Sequence, residues 1–300
     1  MEQRLNDRDL GVVQDALLGW AAIRLRELPW RSTRDPWGIL VSEVMLQQTG
    51  VARVMPKWHA FMESYPTPRE CAEAALGDVL RVWQGLGYPR RARNLQAAAR
   101  EIVVRHAGEV PQSLEELLAL PGVGPYTARA VMAFAFEHDA AVVDTNVARV
   151  LARMAGEKLT ARRAQAEADR LLASGTAWLW NQGLMELGAM VCRPTPTCGE
   201  CPWESWCAWR GGDDGGEDPS VGSAGVSVPQ GRFEGSDRQA RGRLIKALGE
   251  GSVRVEDVAR VMDRPPDVAT RLLADLAAEG LVVVDVVAIT PDTSTVTLPW

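Results

Sequence analysis

The sequence lacks a long hydrophobic segment and an apolar leader. Its longest uninterrupted apolar run covers residues 130–136, far short of the roughly 18 residues that span a bilayer. The first ten residues mix both charges and lead into no apolar stretch, which argues against a secretory signal. We therefore expect no contact with membranes and a protein that stays in the cytoplasm.

The chain also lacks the excess of positive charge that is common in nucleic-acid-binding proteins. Its net charge is −6, but residues 1–210 carry 24 basic and 24 acidic side chains, against 9 and 15 in residues 211–300. A neutral first part can still present a basic face. Binding to nucleic acid is therefore not excluded.

A change of composition divides the chain. Residues 211–230 contain six glycines, four acids and neither Lys nor Arg, which is typical of a flexible, disordered linker. Before this segment hydrophobic residues recur at helical spacing and strand signals are scarce. We therefore predict a mainly α domain over residues 1–210, an acidic Gly-rich linker over 211–235 and a separate module over 236–300.

The last module combines helices and strands. Helices are predicted after Ser236, near 255–262 and over 267–279, followed by a hairpin with a Pro-Asp turn at 291–292. This pattern is typical of a winged-helix-like α+β module. Its third helix holds one Arg and three acids, a poor composition for reading DNA. Packing, partner binding and a weak contact through the wing all stay open as roles for the module.

Four of the five cysteines lie within 16 residues, at Cys192, Cys198, Cys201 and Cys207. In a reducing compartment this clustering favours metal ligation over disulfides. The C-x5-C-x2-C-x5-C spacing suits one zinc ion or one iron–sulfur cluster, and it leaves both open. Cys71 stands alone and is predicted to be a small buried hydrophobe.

The segment LPGVGPYTA, residues 120–128, predicts a tight hairpin between a helical segment at 113–119 and a helix that begins near Tyr126. Gly122 and Gly124 allow the turn. Backbone amides at the start of a helix bind anions, so the hairpin could hold a phosphate without reading base sequence. An ordinary turn between two helices is the alternative.

Two carboxylates lie in helical patterns. Glu43 falls in an apolar stripe, one turn from Ile39 and one turn from Leu46. Burial there would raise the pKa of its carboxyl and suit it to donate a proton, whereas a position at the edge of the stripe would leave it in solvent. Asp144 precedes a packed helix and is predicted to be its N-cap. A capping carboxylate can also face a developing cation.

A basic stretch, PRRARN at residues 89–94, follows Gly85-Leu86-Gly87-Tyr88. Arginines bind phosphates, and a Tyr or Leu side chain can wedge between bases. A solvated run of charges is the alternative explanation.

Taken together, these motifs resemble the MutY family of adenine DNA glycosylases, within the helix-hairpin-helix (endonuclease III) superfamily. The resemblance covers residues 5–210 and rests on LPWR (28–31), SEVMLQQT (42–49), GLGY (85–88), ARNL (92–95), LPGVG-x-x-TA (120–128), D-x-N (144–146), LGAM-x-C (187–192) and the four cysteines.

The resemblance implies a helix-hairpin-helix DNA glycosylase fold. A six-helix module would cover about 30–142, and residues 1–29 with 143–210 would form a second part that holds a [4Fe-4S] cluster in the cysteine loop 192–207. The implied reaction is removal of adenine mispaired with 8-oxoguanine or guanine in double-stranded DNA. The enzyme would act on the chromosome as a monomer.

The resemblance also implies roles for single residues. Glu43 would protonate adenine, while Asp144, held by Asn146, would stabilise the cationic sugar. Tyr126 occupies the position of the Schiff-base lysine of the endonuclease III family, which implies a monofunctional glycosylase. Further contacts would be Arg31 and Glu186 with the flipped adenine, Gln48 in the gap of the duplex, Thr49, Leu86 and Tyr88 with the opposite base, and the amides of Gly122 to Gly124 with a phosphate and a monovalent cation.

The module over 236–300 departs from the family, because it is too short and too helical for the nudix-like domain with which typical members recognise 8-oxoguanine. Two alternative functions remain. A thymine mismatch glycosylase of the same superfamily would use Tyr126 and Asp144 too. A non-catalytic DNA-binding regulator with a zinc site would bind duplex and release no base.

Overall fold

The structure, a computed structural model, describes residues 7–212, 216–226, 231–285 and 294–300. Its α-helices are α1 Asp7–Ala22, α2 Pro36–Leu46, α3 Val51–Ser64, α4 Pro68–Glu73, α5 Leu76–Trp83, α6 Arg90–Arg105, α7 Leu114–Ala119, α8 Pro125–Ala135, α9 Thr145–Ala155, α10 Ala161–Leu171, α11 Ala177–Glu186, α12 Asp237–Glu250, α13 Val258–Met262 and α14 Pro266–Ala278. Its strands are β1 Val253–Arg254, β2 Val283–Asp285 and β3 Thr295–Thr297. The predicted mainly α fold is confirmed. None of the helices in the described ranges combines the length and hydropathy that crossing a membrane requires.

The chain divides into two compact units. The first comprises residues 1–39, 112–115 and 124–229, and the second comprises residues 40–111, 116–123 and 230–300. The C-terminal module therefore belongs to the same unit as α3 to α6. This division differs from the predicted one, which sets residues 236–300 apart from everything before the linker.

The first unit is built around buried tryptophans. Trp180 and Trp203 are almost fully buried with ring centroids 6.0 Å apart, and the indole nitrogen of Trp203 donates to the carbonyl of Val13 at 2.9 Å. Leu17 of α1 and Leu151 of α9 belong to the same cluster. This core ties the N-terminal helix to the cysteine loop, because Trp203 lies inside that loop.

The predicted flexible linker packs against the first unit over residues 216–226. Asp218 forms an ion pair of 2.6 Å with the buried Arg153, and the hydroxyl of Ser223 accepts from the backbone N–H of Leu159 at 3.0 Å. The N–H of Ala224 donates to the carbonyl of Leu159 at 2.9 Å. The composition of this segment indicated disorder. In the structure the buried Arg153 pairs with Asp218, an acid that composition alone would leave in solvent.

The second unit has an aromatic and aliphatic core. Phe61 of α3 and Trp83 of α5 are buried in an edge-to-face contact with centroids 6.1 Å apart. Cys71 is fully buried, as predicted, and burial raises the pKa of its thiol to about 12. Such a thiol is inert, since its thiolate is scarcely populated at neutral pH.

The C-terminal module has the predicted three helices and the antiparallel pair β2 and β3. The Ser236 hydroxyl caps α12 by accepting from the N–H of Gln239 at 3.3 Å. A third strand, β1, pairs with β3, giving the order β1-β3-β2. The sequence missed β1 because two residues carry no readable alternation. The predicted turn at 291–292 lies outside the described residues.

This module packs against α5 through close backbone approaches. The N–H of Gly77 donates to the carbonyl of Pro299 at 2.7 Å. A Cβ at Gly77 would lie 2.7 Å from that oxygen, and one at Gly249 would lie 1.8 Å from the side chain of Gln84. The obstacle at Gly77 is backbone, so a larger side chain there would force the module away, whereas the amide of Gln84 could move aside for a side chain at position 249.

Candidate functional site

Glu43 lies in α2, whose start is fixed by local hydrogen bonds. The Asp35 carboxylate accepts from the N–H groups of Trp37 and Gly38 at 3.2 and 2.9 Å, and Pro36 suits the first helical position. Glu43 is the one charged residue of this helix and is 4% exposed, beside the buried Ile39. The structure therefore excludes the solvent-exposed alternative. A carboxyl group so buried is unusual unless it has a chemical role.

Asp144 caps α9, as predicted. Its Oδ1 accepts from the N–H of Val147 at 2.7 Å, and its Oδ2 accepts from Nδ2 of Asn146 at 3.2 Å. Burial raises the pKa of the Asp144 carboxyl, against the opposing effects of these hydrogen bonds and of the Arg149 charge. The surroundings of Asp144 in the folded chain thus favour the protonated, uncharged carboxyl more than water does.

A hydrogen-bonded series runs from Asp144 towards the cysteines. Arg149 donates from Nη2 to Oδ1 of Asn146 and to the carbonyl of Gly188, both at 2.8 Å. Its Nε donates to the carbonyl of Cys192 at 2.7 Å. The orientation of the Asn146 amide, and with it that of Asp144, is therefore tied to the loop that begins at Cys192.

Arg31 and Glu186, both predicted to contact adenine, meet within the first unit. Nη2 of Arg31 lies 2.7 Å from Oε1 of Glu186, whose side chain is fully buried. The sequence missed two further members of this group. Nε of Arg26 donates to Oε2 of Glu186 at 2.8 Å, and Nε of Arg31 donates to Oε1 of Gln182 at 2.6 Å. Two guanidinium groups thus hold one buried carboxylate in a fixed orientation.

The predicted hairpin precedes α8. Gly122 has φ +79°, and a Cβ there would lie 2.7 Å from the Cβ of Asn94. Gly124 is the N-cap of α8, with Pro125 at the first position and Tyr126, partly exposed, in the first turn. A side chain would therefore disturb the turn at Gly122, whereas Gly124 has extended backbone, with φ −97°, and open space beside it.

Two loops of the second unit contain backbone that is unusual for residues with a side chain. Gln48 has φ 55° and Tyr88 has φ 49°. Such left-handed conformations cost free energy and concentrate at functional sites. Thr49 links the loops, since its hydroxyl donates to the carbonyl of Leu86 at 3.3 Å. Leu86 itself is 2% exposed, so it packs inside the unit instead of presenting a wedge at the surface.

Arg91 corrects the interpretation of the basic stretch 89–94 as a set of phosphate ligands. It is neither solvated nor turned outward, because its Nη1 donates to the carbonyls of Val44, Met45 and Gln47 at 2.6 to 2.9 Å. Its Nη2 donates to the hydroxyl of Thr49 and to the carbonyls of Leu86 and Gly87 at 3.0 to 3.2 Å. Burial lowers the pKa of Arg91 to about 10. This one side chain connects the end of α2 with both loops.

Arg93 also differs from the prediction. It donates to the side chain of Asn94 and to the carbonyl of Glu279. Of the three arginines, Arg90 is the most open, with a side chain 63% exposed and 3.7 Å from Glu279. Nothing in the sequence distinguishes the three, because their partners come from distant parts of the chain.

The four predicted metal ligands line one small cavity in the first unit, together with Arg153 and Trp209. Arg153 is almost fully buried, and its Nη1 donates to the sulfur of Cys192 at 3.4 Å. Burial raises the pKa of Cys201 to about 12. In the described part of the chain, no group of three or more His, Cys, Asp or Glu side chains closes on a single metal ion. The cavity nevertheless gathers four sulfurs around one space, with a cation beside them.

Comparisons with known proteins agree with these features. A family model described as the HhH-GPD superfamily of base excision DNA repair proteins matches residues 41–173. The adenine DNA glycosylase of Mycobacterium tuberculosis (strain H37Rv) is 43% identical over 278 residues, which is 89% of this chain and 88% of that protein. The human adenine DNA glycosylase is 41% identical over 211 residues, or 65% of this chain and 39% of that protein.

Solved structures are similar as well. A thermostable thymine-DNA glycosylase matches with TM-score 0.65 and 30% identity, covering 68% of this chain and 97% of its own. An endonuclease III trapped in a covalent intermediate with DNA matches with TM-score 0.62 and 25% identity, covering 71% of this chain and all of its own. On these relatives, with the buried Glu43 and the Asp144 cap in place, the chain belongs to the adenine DNA glycosylase family, within the HhH-GPD superfamily of base excision DNA repair proteins.

Proposed function

We propose that this glycosylase removes adenine mispaired with 8-oxoguanine or guanine from double-stranded DNA. The base would be flipped out of the stack and released by acid-assisted hydrolysis of its N-glycosidic bond. The observation that carries the proposal is the burial of Glu43 as the one charged side chain of an apolar helix. The names of the relatives supply the base, and the trapped endonuclease III complex supports DNA as the partner.

Glu43 acts as the general acid. Adenine leaves poorly as an anion, so protonation of its ring lowers the barrier to bond cleavage. A carboxyl group within an apolar helix face holds its proton more readily than one in water. The burial of Glu43 in such a helix face therefore supports a role as proton donor.

Asp144 acts as the electrostatic partner. Loss of adenine leaves positive charge on the sugar, and a carboxylate stabilises such a cation. Asn146 holds one carboxylate oxygen and the N–H of Val147 holds the other. Both hydrogen bonds fix the orientation of the carboxylate before the reaction, which reduces the reorganisation that the transition state requires.

Tyr126 makes the enzyme monofunctional. A Schiff base with the sugar requires a primary amine, and a phenol cannot form one. The position in the first turn of α8 is the one at which the resemblance aligns the lysine of the endonuclease III family. We therefore expect base release without strand cleavage.

Contacts with the base pair come from two groups of residues. Arg31, held by Glu186 and Gln182, contacts the flipped adenine. Gln48 enters the gap in the duplex, while Thr49 and Tyr88 face the opposite base. The strained backbone of Gln48 and Tyr88 supports these roles, because strain persists where a site requires a particular direction of a side chain.

The hairpin amides of Gly122 to Gly124 hold a DNA phosphate, with a monovalent cation beside it. This part of the proposal rests on the hairpin that leads into α8, with Gly124 as the N-cap and Pro125 at the first position, because the N-terminus of a helix favours an anion. We expect the enzyme to act on the chromosome in the cytoplasm as a monomer.

The four cysteines bind a [4Fe-4S] cluster. The residues present fit this group, since four sulfurs line one cavity and Arg153 donates to one of them. When bound, a cluster would link Cys192, Cys198, Cys201 and Cys207 into one rigid loop. Iron analysis and the visible spectrum of the purified protein test this, because bound zinc would leave a colourless protein without iron.

The deciding experiment is single-turnover release of free base from otherwise identical duplexes. These carry adenine opposite 8-oxoguanine, adenine opposite guanine, adenine opposite thymine, and thymine opposite guanine. We expect adenine release from the first two. Release of thymine would support the thymine mismatch alternative, and binding without release of any base would support the non-catalytic regulator.

A further inference from the structure

A groove of about 1290 Å³ lies within the second unit. Its walls are the loop residues 84–91, the exposed part of α3 and one face of α12 from the C-terminal module. Gln48 and Tyr88, the two residues with strained backbone, line it as well. The groove is thus shared by the proposed opposite-base loops and by a module whose role the sequence leaves open.

The groove is strongly basic. Its lining contains eight Lys or Arg side chains and one acid, Glu279, in a chain whose net charge is −6. Four of these cations lie on α12, at Arg238, Arg241, Arg243 and Lys246. The module as a whole is acidic, with eight Lys or Arg against ten Asp or Glu over residues 236–300, and half of its cations lie on the helix that faces the groove.

Not all of these cations are paired with an acid, although Nζ of Lys57 donates to the carbonyl of Val82 at 3.3 Å. Among the described residues, the structure records no ion pair of Arg53, Lys57 or Lys246 with an acidic side chain. By contrast, Arg241 pairs with Glu279, and Arg243 lies 2.6 Å from Asp263. Positive charge that lacks a neighbouring acid attracts an anion of the solution or a polyanion.

A hydrogen bond from Arg238 places α12 beside the loop of residues 84–91, and a second one joins it to the segment before the helix. Nη1 of Arg238 donates to the hydroxyl of Tyr88 at 2.8 Å, and its Nη2 donates to the carbonyl of Gly231 at 2.9 Å. Phe233, 58% exposed, also lines the groove. An exposed aromatic ring among cations is typical of nucleic-acid surfaces.

We propose that α12 of the C-terminal module binds the phosphodiester backbone of DNA in this groove, together with Arg53 and Lys57 of α3. The inference rests on the proposed function for the identity of the polyanion. The surface differs from that of a winged helix that reads bases, since α14, the expected reading helix, is acidic. The contacts are to phosphates, so they add affinity and orientation without reading sequence.

Gly242 offers a substitution that adds charge without disturbing the fold. It lines the groove from α12, and a Cβ there would meet no atom within 4 Å. Gly242→Glu places an acid in the groove and improves helix propensity. Gly19→Glu is the matched control, because Gly19 is exposed in α1 of the other unit and its Cβ would also meet nothing within 4 Å.

Affinity is measured for full-length protein on a duplex with adenine opposite 8-oxoguanine and on a fully paired duplex, from 50 to 200 mM salt. Lys246→Ala should weaken both complexes and lower the slope of log affinity against log salt by about 0.9. The ratio of the parent's affinity to that of Lys246→Ala should therefore fall about threefold between 50 and 200 mM salt. Gly242→Glu should weaken both duplexes at low salt, and Gly19→Glu should match the parent.

Three results would overturn the inference: unchanged affinity and slope in both α12 variants, an equal loss in Gly19→Glu, or a loss confined to the mismatched duplex. The last would mean that α12 reads the lesion and not the backbone. Base release by the parent enzyme, measured in parallel, tests the proposed function separately. Failure of the parent to release adenine contradicts the proposed function. Normal release by the parent, together with unaffected binding by the variants, contradicts only the proposed role of the groove in binding DNA.

Discussion

At the scale of single residues, Glu43 illustrates how burial changes the chemistry of a common side chain. Helical spacing alone allows a glutamate at the edge of an apolar stripe to reach solvent, and such residues are frequent. The 4% exposure of Glu43 removes that possibility. Burying a carboxyl group in such surroundings lowers the stability of the fold. A protein tolerates this loss where the group is needed to transfer a proton.

Glu43→Gln should abolish adenine release and leave mismatch binding largely intact. The amide keeps the size of the side chain but cannot donate a proton as the carboxylic acid does, and loss of a general acid lowers rates by about 10² to 10⁴-fold. Single-turnover release and duplex affinity are measured together. Glu63→Gln on the exposed face of α3 is the control and should behave as the parent, whereas undiminished release by Glu43→Gln would refute the role.

The raised pKa of Asp144 links catalysis with stability. Between the pKa of an unfolded Asp, about 3.9, and the higher pKa in the fold, the unfolded chain binds fewer protons than the folded one. The parent therefore loses stability as pH rises through this window. Asp144→Asn has no such loss, so its unfolding free energy relative to the parent should increase with pH and level off above the folded pKa.

Urea unfolding of both proteins at a series of pH values measures this difference. A constant offset from changed hydrogen bonds with Asn146 does not affect the slope. Gly19→Ala, in which neither residue titrates and the added Cβ meets no atom within 4 Å, should give a difference that does not change with pH. A flat or falling difference for Asp144→Asn would show that burial does not dominate the pKa of the Asp144 carboxyl. The same variant should release no adenine if Asp144 stabilises the sugar cation.

At the scale of elements, Arg91 organises the two loops that carry the proposed opposite-base residues. Its guanidinium reaches acceptors at the end of α2, in the turn of Gln47 to Thr49 and in the turn of Leu86 to Gly87. The planar fork of an arginine suits several acceptors at once, and an ammonium group does not. Arg91 is thus a positioning residue that the sequence placed among phosphate ligands.

Arg91→Lys should destabilise the fold and reduce discrimination between opposite bases. Unsatisfied carbonyls in this turn would cost about 1–3 kcal/mol, and the loops would lose their shared anchor. Chemical denaturation gives the stability, and the ratio of adenine release opposite 8-oxoguanine and guanine gives the discrimination. Arg90→Lys is the neighbouring control and should stay within about 0.5 kcal/mol of the parent. Equal behaviour of the two variants would contradict the assignment.

At the scale of the whole molecule, the segment after the cysteines is part of the first unit over residues 216–226. Asp218 supplies the negative charge for Arg153, whose other donors hold the carbonyls of Arg193 and Pro194 in the cysteine loop. A composition rich in glycine and acids indicated a disordered linker. Its local sequence could not reveal that a buried arginine 65 residues earlier in the chain provides the partner.

Asp218→Asn should lower the unfolding free energy by about 1–3 kcal/mol, because it leaves the buried guanidinium without a counter-charge. The measurement is denaturant unfolding, with limited proteolysis to detect release of residues 216–226. Asp15→Asn, on an exposed helix surface, should change stability by no more than about 0.5 kcal/mol. A protease-resistant segment with unchanged stability would contradict a structural role for this ion pair.

The sequence by itself determined the features that are local or that depend on spacing. These include the helices, the caps by Asp144 and Ser236, the glycine hairpin, the cysteine cluster and the motifs of the family. Hydrophobic periodicity and capping act over a few residues, so they can be read along the chain.

Only the tertiary structure decided which polar groups are buried and what they bind. It buried Glu43 and Leu86, turned Arg91 inward, added Arg26 to the Glu186 pair and packed Asp218 on Arg153. It also placed the cations of α12, instead of those of α14, in a groove beside Tyr88. The physical reason is that desolvation and ion pairing depend on groups brought together from distant positions, and no local pattern encodes which groups will meet.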